Sequence, residues 1–496
     1  MTPGIDLGLL GQEFLYNVKS PMMFTSGLFL FLFLAFVYVY YALRNTNTPR
    51  IIFVTLFSYY FYYKSSGAHV AILAVVTLSD WLIARRIYAV GPENRKLQKR
   101  LITLSLLIDL GLLAYFKYTN FLFDCLAAIT FTNPLSFDIL LPVGISFFTF
   151  QSLSYTIDIY RGQIKPLNSL LDYAFYVSFF PQLVAGPIVR ARDFIPQIRQ
   201  KVVVTMEMFN QGIFLVIAGL FKKAVISDYI SVNFVERIFD SPELYSGIEN
   251  LLGLYGYAIQ IYCDFSGYSD MAIGIALLLG FHFPKNFDSP YKSTSISEFW
   301  RRWHISLSTW LRDYVYISLG GNRKGRMRTY LNLFLTMLFG GLWHGANIKF
   351  VLWGCMHGVA LAVNRAYRLF LGRDKHYNGN RVQKILGGLI TFHFVLFTWV
   401  FFRADSMSVV GQMLTQIFTA FHPELLGKVL SGYSLVMLLI VIGYVTHFMP
   451  ERHSETMKAK LQGYNLAVKA LLVIITIVII IQVKSSDIQP FIYFQF

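Results

Sequence analysis

Apolar runs of about twenty residues, the length that crosses the hydrocarbon core of a bilayer, recur along this chain almost from end to end. Short loops rich in lysine and arginine separate them at 44–50, 85–100, 161–165, 190–201, 285–328, 365–384 and 452–460. The intervening loops, at 118–138, 231–250 and 406–430, are poor in cations or acidic. This pattern predicts an all-α, polytopic membrane protein with roughly ten to twelve membrane helices. The first crossing falls near 22–43, then come 51–63, 68–84 and 101–117, and the last is Leu466–Val483. Basic loops stay in the cytoplasm, so both chain ends are expected outside it. No internal repeat is visible, which counts against a transporter built from inverted halves.

Two apolar stretches break the alternation. LLDYAFYVSFFPQLVAGPI (170–188) lies between two basic loops and is interrupted by Pro181, Gly186 and Pro187. Broken backbone at membrane depth is tolerated only inside protein or beside a cavity, so a re-entrant passage is expected. The second stretch, 331–363, is also flanked by basic loops. Its length corresponds to about 50 Å of helix, short of two full crossings of a ~30 Å core. A hairpin turning at 340–347 would place His344 at depth, where an ionisable group is a functional hypothesis by default.

Ahead of that hairpin, Phe299, Trp303, Leu307, Trp310, Leu311 and Tyr314 recur at helical spacing, with Arg301, Arg302, Ser308 and Arg312 on the other side. The spacing predicts an interfacial amphipathic helix on the cytoplasmic leaflet, with His304 at the border of its faces. A turn-rich basic loop follows at 320–325.

Composition agrees with a membrane body. Of 496 residues, 55% are hydrophobic and 14% charged, whereas a soluble domain has roughly 25% charged residues. The formal net charge of +16 sits in short loops between apolar runs, which argues against a nucleic-acid partner. The opening MTPGIDLGLLGQEFLYNVKS lacks a basic n-region and a small-residue cleavage site, so no cleavage is expected. Cys125, Cys263 and Cys355 are far apart in apolar sequence, without metal-ligand spacing, and read as core residues.

The strings SPYKSTSISEFWRRWHISLSTWLRDYVYISLGGNRKG (289–325) and GGLWHGANIKFVLWGCMHG (340–358) closely resemble the membrane-bound O-acyltransferase family. They look like its bacterial branch of alginate O-acetylation proteins and teichoic acid D-alanyl transferases. LPVGISFFTFQSLSYTIDIYRG (141–162), FFPQLVAGPIVRARDFIPQI (179–198), CDFSGYSDMAIGIALLLGF (263–281) and the terminal FIYFQF (491–496) fit the same branch. The resemblance divides the chain into an extension (1–21), an acyltransferase body (22–483) with its catalytic segment at 297–358, and an extracytoplasmic tail (484–496). It implies helices and re-entrant segments around a tunnel with a histidine pair at its narrowest point, His344 the principal one and His304 the second. It further implies an acyl thioester donor on the cytoplasmic side, acetyl-CoA or another, with no bound cofactor, in the bacterial inner membrane. A periplasmic SGNH-type acetyltransferase is the implied partner. Two departures stand out: about twenty residues precede the usual start, and Ser318 occupies the proline position of the YIPLGGNR form.

Transfer from a thioester to a hydroxyl needs a base at the hydroxyl proton, and imidazole, with a reference pKa of about 6.5, suits that task at neutral pH. His344 is either that base or a nucleophile that is itself acylated; the bland alternative is a structural histidine in a glycine-rich break. His304 would orient the donor, polarise its carbonyl or position His344, unless it is a surface histidine. Trp343 and Asn347 either line the tunnel or simply pack. His357 and His393 read as satisfied core groups. Arg301, Arg302, Arg312, Arg323 and Lys324, with Arg326 and Arg328, either grip coenzyme A phosphates or serve topology and anionic lipid. Asp264 and Asp270 fit a buried polar network, and no metal site is expected. The resemblance makes Tyr493 a candidate acyl relay; its alternative is an aromatic interfacial anchor.

The expected function is therefore membrane O-acyl transfer, for O-acetylation of an envelope or exported polysaccharide such as alginate. The alternatives are D-alanyl transfer from a carrier protein to teichoic acid, a non-catalytic transporter or flippase, and an assembly scaffold.

Overall fold

The computed structural model describes residues 11–18, 20–372 and 380–483. The described residues form helices joined by short connections, without a β-strand. The chain divides into two compact units, one of residues up to 213 with 271–284, the other of 214–270 with the residues from 285 on.

In the first unit the helices labelled α1 (Gly27–Ala42), α2 (Asn47–Ser66), α3 (Val70–Val90) and α4 (Arg95–Leu113) lie where the first four apolar runs predict them. The fourth does not end near 117. A π-helical turn, Ala114–Tyr118, carries the chain into a further helix, Thr119–Thr130, inside the stretch expected to be a loop. Next come α5 (Ile145–Tyr160) and α6 (Leu170–Ser178).

These helices are apolar outside as well as in. Leu34 is 73% exposed and Leu56 65%, as expected where the surroundings are lipid. Polar groups go inward instead. Buried Arg50 donates to the carbonyls of Ile198 (2.9 Å) and Gln200 (3.1 Å).

The interrupted stretch at 170–188 is broken as its prolines and glycine predict. α6 stops at Ser178, a short turn covers Phe180–Leu183, and the chain then runs without helix to Ala191. Every residue from Phe175 to Ala191 is buried. Phe180 packs within 5.8 Å, centroid to centroid, of Phe36, Phe57 and Phe61. Protein, not lipid, surrounds the irregular backbone, which is the condition for tolerating it.

The second unit contains most of the long helix α7 (Gly247–Leu278), whose residues from Met271 belong to the first. It then holds α8 (Ile296–Arg302), α9 (Ile305–Trp310), α10 (Arg326–His344), α11 (Ile348–Phe370) and α12 (Arg381–Arg403). The cation-poor loop expected at 406–430 is largely helical, as Met407–Thr419 and Leu426–Gly432, because Val410 and Met413 bury one face.

Among the described residues three helical stretches are long and apolar enough to cross a membrane, or five if each bent pair counts as one span. That is fewer than the expected ten to twelve. Part of the reason is that α1 has only 16 residues and that α2 and α3 run on as one stretch, 47–90, and part is visible in α7, which carries Glu249, Asp264 and Asp270. Polar residues that face protein lower the mean hydropathy of a helix without making it unfit for a membrane body.

Candidate active site

The amphipathic stretch around His304 does not form one helix. α8 ends as Trp303 N–H bonds to the Phe299 carbonyl at 2.8 Å, and His304 takes φ +43° before α9 begins. A non-glycine residue in the left-handed region costs on the order of 1–3 kcal/mol unless its surroundings over-determine it. Here the segment at 286–288 does so. The Asn286 carbonyl accepts Ile305 N–H (2.9 Å), Asp288 N–H bonds to the Arg302 carbonyl (2.9 Å), and Asn286 Oδ1 accepts both Ser306 N–H (3.1 Å) and Ser306 Oγ (2.9 Å). The groups orphaned at two helix ends thus find partners in one strand of loop. His304, expected at the border of two faces, is fully buried.

That loop also determines the histidine's tautomer. His304 Nδ1 lies 3.2 Å from Asn286 Oδ1. A backbone N–H must donate to an oxygen, so the Ser306 bond sets which amide atom is Oδ1. The Asn286 amide nitrogen agrees, donating to Ser269 Oγ at 3.1 Å. Nδ1 therefore carries the proton of neutral His304, and Nε2 is the lone-pair nitrogen. Such an imidazole accepts a proton. It has none at Nε2 to offer a carbonyl.

His344 is the last residue of α10 and is 2% exposed. The hairpin it closes is longer than the apolar run suggested, because basic turns at Arg326–Arg328 and Arg365–Arg368 continue both helices. Their spacing is set by glycine. A Cβ on Gly354 would lie 2.6 Å from the Met337 carbonyl oxygen and 3.2 Å from Gly341 Cα, so the helices touch backbone to backbone, as small residues allow in membrane bundles. Aromatic rings enclose His344: Trp343 and Trp353 at 5.0 Å and Phe402 at 5.2 Å, centroid to centroid. His304 has Phe265 at 4.6 Å and Trp343 at 5.9 Å. One indole, Trp343, thus touches both histidines, which are forty positions apart in sequence.

Comparison with known proteins bears directly on this pair. The model of the MBOAT family, membrane-bound O-acyltransferases, matches residues 164–404. The chain is 39% identical to a probable alginate O-acetylase AlgI of Pseudomonas putida, over 96% of this chain and 100% of that protein. The chain belongs to the membrane-bound O-acyltransferase family. It is 38% identical to a peptidoglycan O-acetyltransferase of Helicobacter pylori, over 79% of each chain. It is 32% identical to a teichoic acid D-alanyltransferase of Bacillus subtilis, over 52% of this chain and 68% of that one. The protein is accordingly a membrane O-acyltransferase, and its family requires an acyl donor as substrate.

The other residues singled out in this acyltransferase fall into distinct environments. Trp343 is buried between the histidines, while Asn347 caps α11 through Lys349 N–H (3.1 Å), a structural task. His357 is buried and satisfied: Trp300 Nε1 donates to its Nδ1 (3.3 Å), so its Nε2–H donates to Thr398 Oγ1 (3.1 Å). His393 is not a core residue. It is exposed, and bonds to Tyr255 Oη and the Leu389 carbonyl, both at 2.8 Å. Of the cysteines only Cys263 is buried; Cys355 is intermediate and Cys125 exposed, since the apolar sequence around Cys125 faces outward.

The basic set splits in two. Arg302 is held by Glu298 (3.0 Å) and Asp288 (3.3 Å), and Arg312 by Asp313 (2.6 Å). Glu298 is partly buried, which raises its carboxyl pKa, but bonds from Thr294 and the charge of Arg302 outweigh burial and hold it below the usual range. Asp288 behaves likewise, with Lys285 and Arg302 opposing burial. Arg301, Arg323 and Lys324 are exposed and have no ion pair among the described residues, and Arg326 and Arg328 are exposed too. Ser318, at the proline position, donates to the Tyr314 carbonyl (2.7 Å) and so continues the helical turn.

Asp264 and Asp270 do sit in a polar network. Lys223 bridges Asp264 (2.5 Å) and Asp228 (2.7 Å), and Lys222 pairs with Asp270 (2.7 Å). Both lysines lie in a π-helical stretch, Phe221–Ser227. Among the described residues no group of three or more potential ligands is arranged for a metal. Tyr493 and the terminal FIYFQF lie outside the described residues.

Sequence reasoning missed Asn286, whose only signal was its place three residues ahead of the family-like SPYK string. It also missed Trp353. That indole is fully buried beside His344, and its Nε1–H has no hydrogen-bond partner among the described residues. Lys349, buried and donating to the Ala404 carbonyl at 2.5 Å, is a third.

Proposed function

We propose that this acyltransferase moves an acetyl group from a cytoplasmic thioester, acetyl-CoA, across the inner membrane for O-acetylation of an envelope or exported polysaccharide. Two relatives that match 96% of this chain are named for alginate O-acetylation, and one of similar identity for peptidoglycan. D-alanyl transfer has less support, because the relatives so named match about half of this chain. The basic loops lie in the cytoplasm and both ends outside it, in keeping with the charge bias. Arg301, Arg323 and Lys324, exposed and not engaged by carboxylates, are the better candidates for donor phosphates than Arg302 and Arg312.

The observation that carries the reading is the pair of buried imidazoles on one indole. The acceptor hydroxyl oxygen attacks the thioester carbonyl carbon, and a histidine takes its proton as the C–O bond forms. The C–S bond then breaks, and the same proton leaves with the thiol. His344 is the general base, or the nucleophile of a two-step route. His304 serves as a second proton acceptor, a reading supported by the contact of its Nδ1 with Asn286 Oδ1. Trp353 Nε1–H is the donor available for the carbonyl oxygen. Tyr493 is the candidate hydroxyl that receives the group first, and an SGNH-type enzyme outside the membrane the candidate next acceptor.

The test uses full-length protein in lipid nanodiscs with radiolabelled acetyl-CoA, comparing wild type, His344→Ala and Tyr493→Phe. Release of CoA that vanishes in His344→Ala, with folding intact, is the expected result, and label on the protein should vanish in Tyr493→Phe. Equal release without His344 would overturn the assignment. Label retained on His344 itself after quenching would select the nucleophilic route.

A further inference from the structure

The first unit holds a pair of buried acids that acyl transfer does not use. Asp80 is the sole acid in α3 and Asp109 the sole acid in α4. Both are fully buried, and their carboxyl groups lie within hydrogen-bonding reach of each other. Asp80 is well supplied with donors. Ser105 Oγ donates to its Oδ1 at 2.7 Å, and Ser152 Oγ donates to its Oδ2. Ser152 has a single proton and spends it on Asp80, so the Tyr173 hydroxyl, 2.7 Å away, donates to Ser152 in turn. Asp109 differs: neither of its oxygens has a hydrogen-bond partner among the described residues when it is counted as a carboxylate.

Among the described residues neither acid has a lysine, arginine or histidine partner. The groups that face it are Ser105 of α4, Ser152, Tyr155 and Thr156 of α5, and Tyr173 of α6, all neutral hydroxyls. Two ionised carboxylates in contact, out of water and without a counter-charge, repel each other at low dielectric, and Asp109 would present bare lone pairs to those of Asp80. A carboxylic acid, unlike a carboxylate, is a donor. One proton on Asp109 turns the repulsive contact into an O–H···O⁻ bond, gives Asp80 a third donor and removes one of the two buried charges.

We propose that Asp80 and Asp109 form a proton-binding site, with Asp109 protonated and donating to ionised Asp80, so that the bound proton ties α3 to α4. Its ligand is a proton. Sodium, the other small cation that carboxylate and hydroxyl oxygens can hold, is the alternative that the test excludes. Stripping the shared proton at alkaline pH restores the repulsion and loosens the helix pair.

The experiment is infrared spectroscopy of the full-length protein in nanodiscs, with aspartate labelled by ¹³C at the side-chain carboxyl, alongside melting curves across pH in sodium and in choline salts. The expected spectrum at neutral pH has a protonated aspartic acid C=O band that shifts in D₂O and is absent from Asp109→Asn. The amide N–H of that variant replaces the lost donor, so it should melt with wild type at neutral pH and escape the wild type's fall in melting temperature at alkaline pH. No aspartic acid band in wild type, or an unchanged band in Asp109→Asn, overturns the proposal. So does stabilisation by sodium over choline that Asp109→Asn abolishes, since a metal ion would then hold the pair. If the variant does not fold, the labelled wild-type spectrum alone decides.

Discussion

Replacing Gly354 by alanine tests whether the helix pair beneath His344 is as tight as its backbone implies. The new Cβ would stand 2.6 Å from the Met337 carbonyl oxygen, where ordinary contact begins at 3.4 Å. The obstacle is backbone, not a side chain that can swing away, so α10 and α11 must separate locally by about 0.8 Å. Overpacking of this kind costs about 1–3 kcal/mol. Trp353, the preceding residue, carries the shift to the ring face of His344 at 5.0 Å. A misplacement of about 1 Å in a catalytic constellation costs on the order of 10²-fold in rate. Gly411→Ala, in a helix where a new Cβ meets nothing within 4 Å, is the control, and should gain about 0.5–1 kcal/mol from helix propensity. Both variants are melted in nanodiscs and assayed for acyl transfer per folded molecule. Gly354→Ala behaving like the control would refute the packing argument. A lowered melting temperature with an unchanged rate would refute only the link between this contact and His344.

Two further substitutions probe the site. Asn286→Ala removes the shared acceptor of Ser306 N–H and His304 Nδ1–H, leaving buried donors that cost about 1–3 kcal/mol each; the rate should fall at least ~10-fold with KM little changed. Asn286→Asp keeps that acceptor and should recover part of the rate, whereas no difference between the two variants would show that the tautomer does not matter. Trp353→Phe keeps the ring against His344 and removes only the N–H. If that donor serves the carbonyl oxygen, kcat drops about 10²-fold or more without a change in melting temperature, and an unaltered kcat excludes the role.

The positions of the first four helices, the broken segment at 170–188 and the family itself were legible because each is written in local order. Apolar run length, prolines and motif strings do not depend on what packs against them. Periodicity failed at His304 for a physical reason. Phe299, Trp303, Leu307 and Trp310 bury whether the chain is one helix or two, so their spacing is silent about a break. The break is decided by the segment at 286–288, which begins eighteen positions earlier: the Asn286 carbonyl and side chain hold the start of the second helix, and Asp288 N–H holds the end of the first. Charge counting likewise named seven basic residues together, but could not see that Arg302 and Arg312 are held by neighbouring carboxylates.

What the sequence determined by itself is the solvent and the chemistry. Long apolar runs select a bilayer because each buried methylene favours it, and the WHISLS and GGLWHG strings mark where imidazoles enter. Tertiary structure alone decided what those imidazoles can do. Contact between Gly341 and Gly354 sets where His344 stands, an indole shared by two histidines joins segments forty residues apart, and one asparagine oxygen assigns the proton of His304. None of these is a property of a residue or its neighbours in sequence; each arises when separate stretches of chain are held at bonding distance.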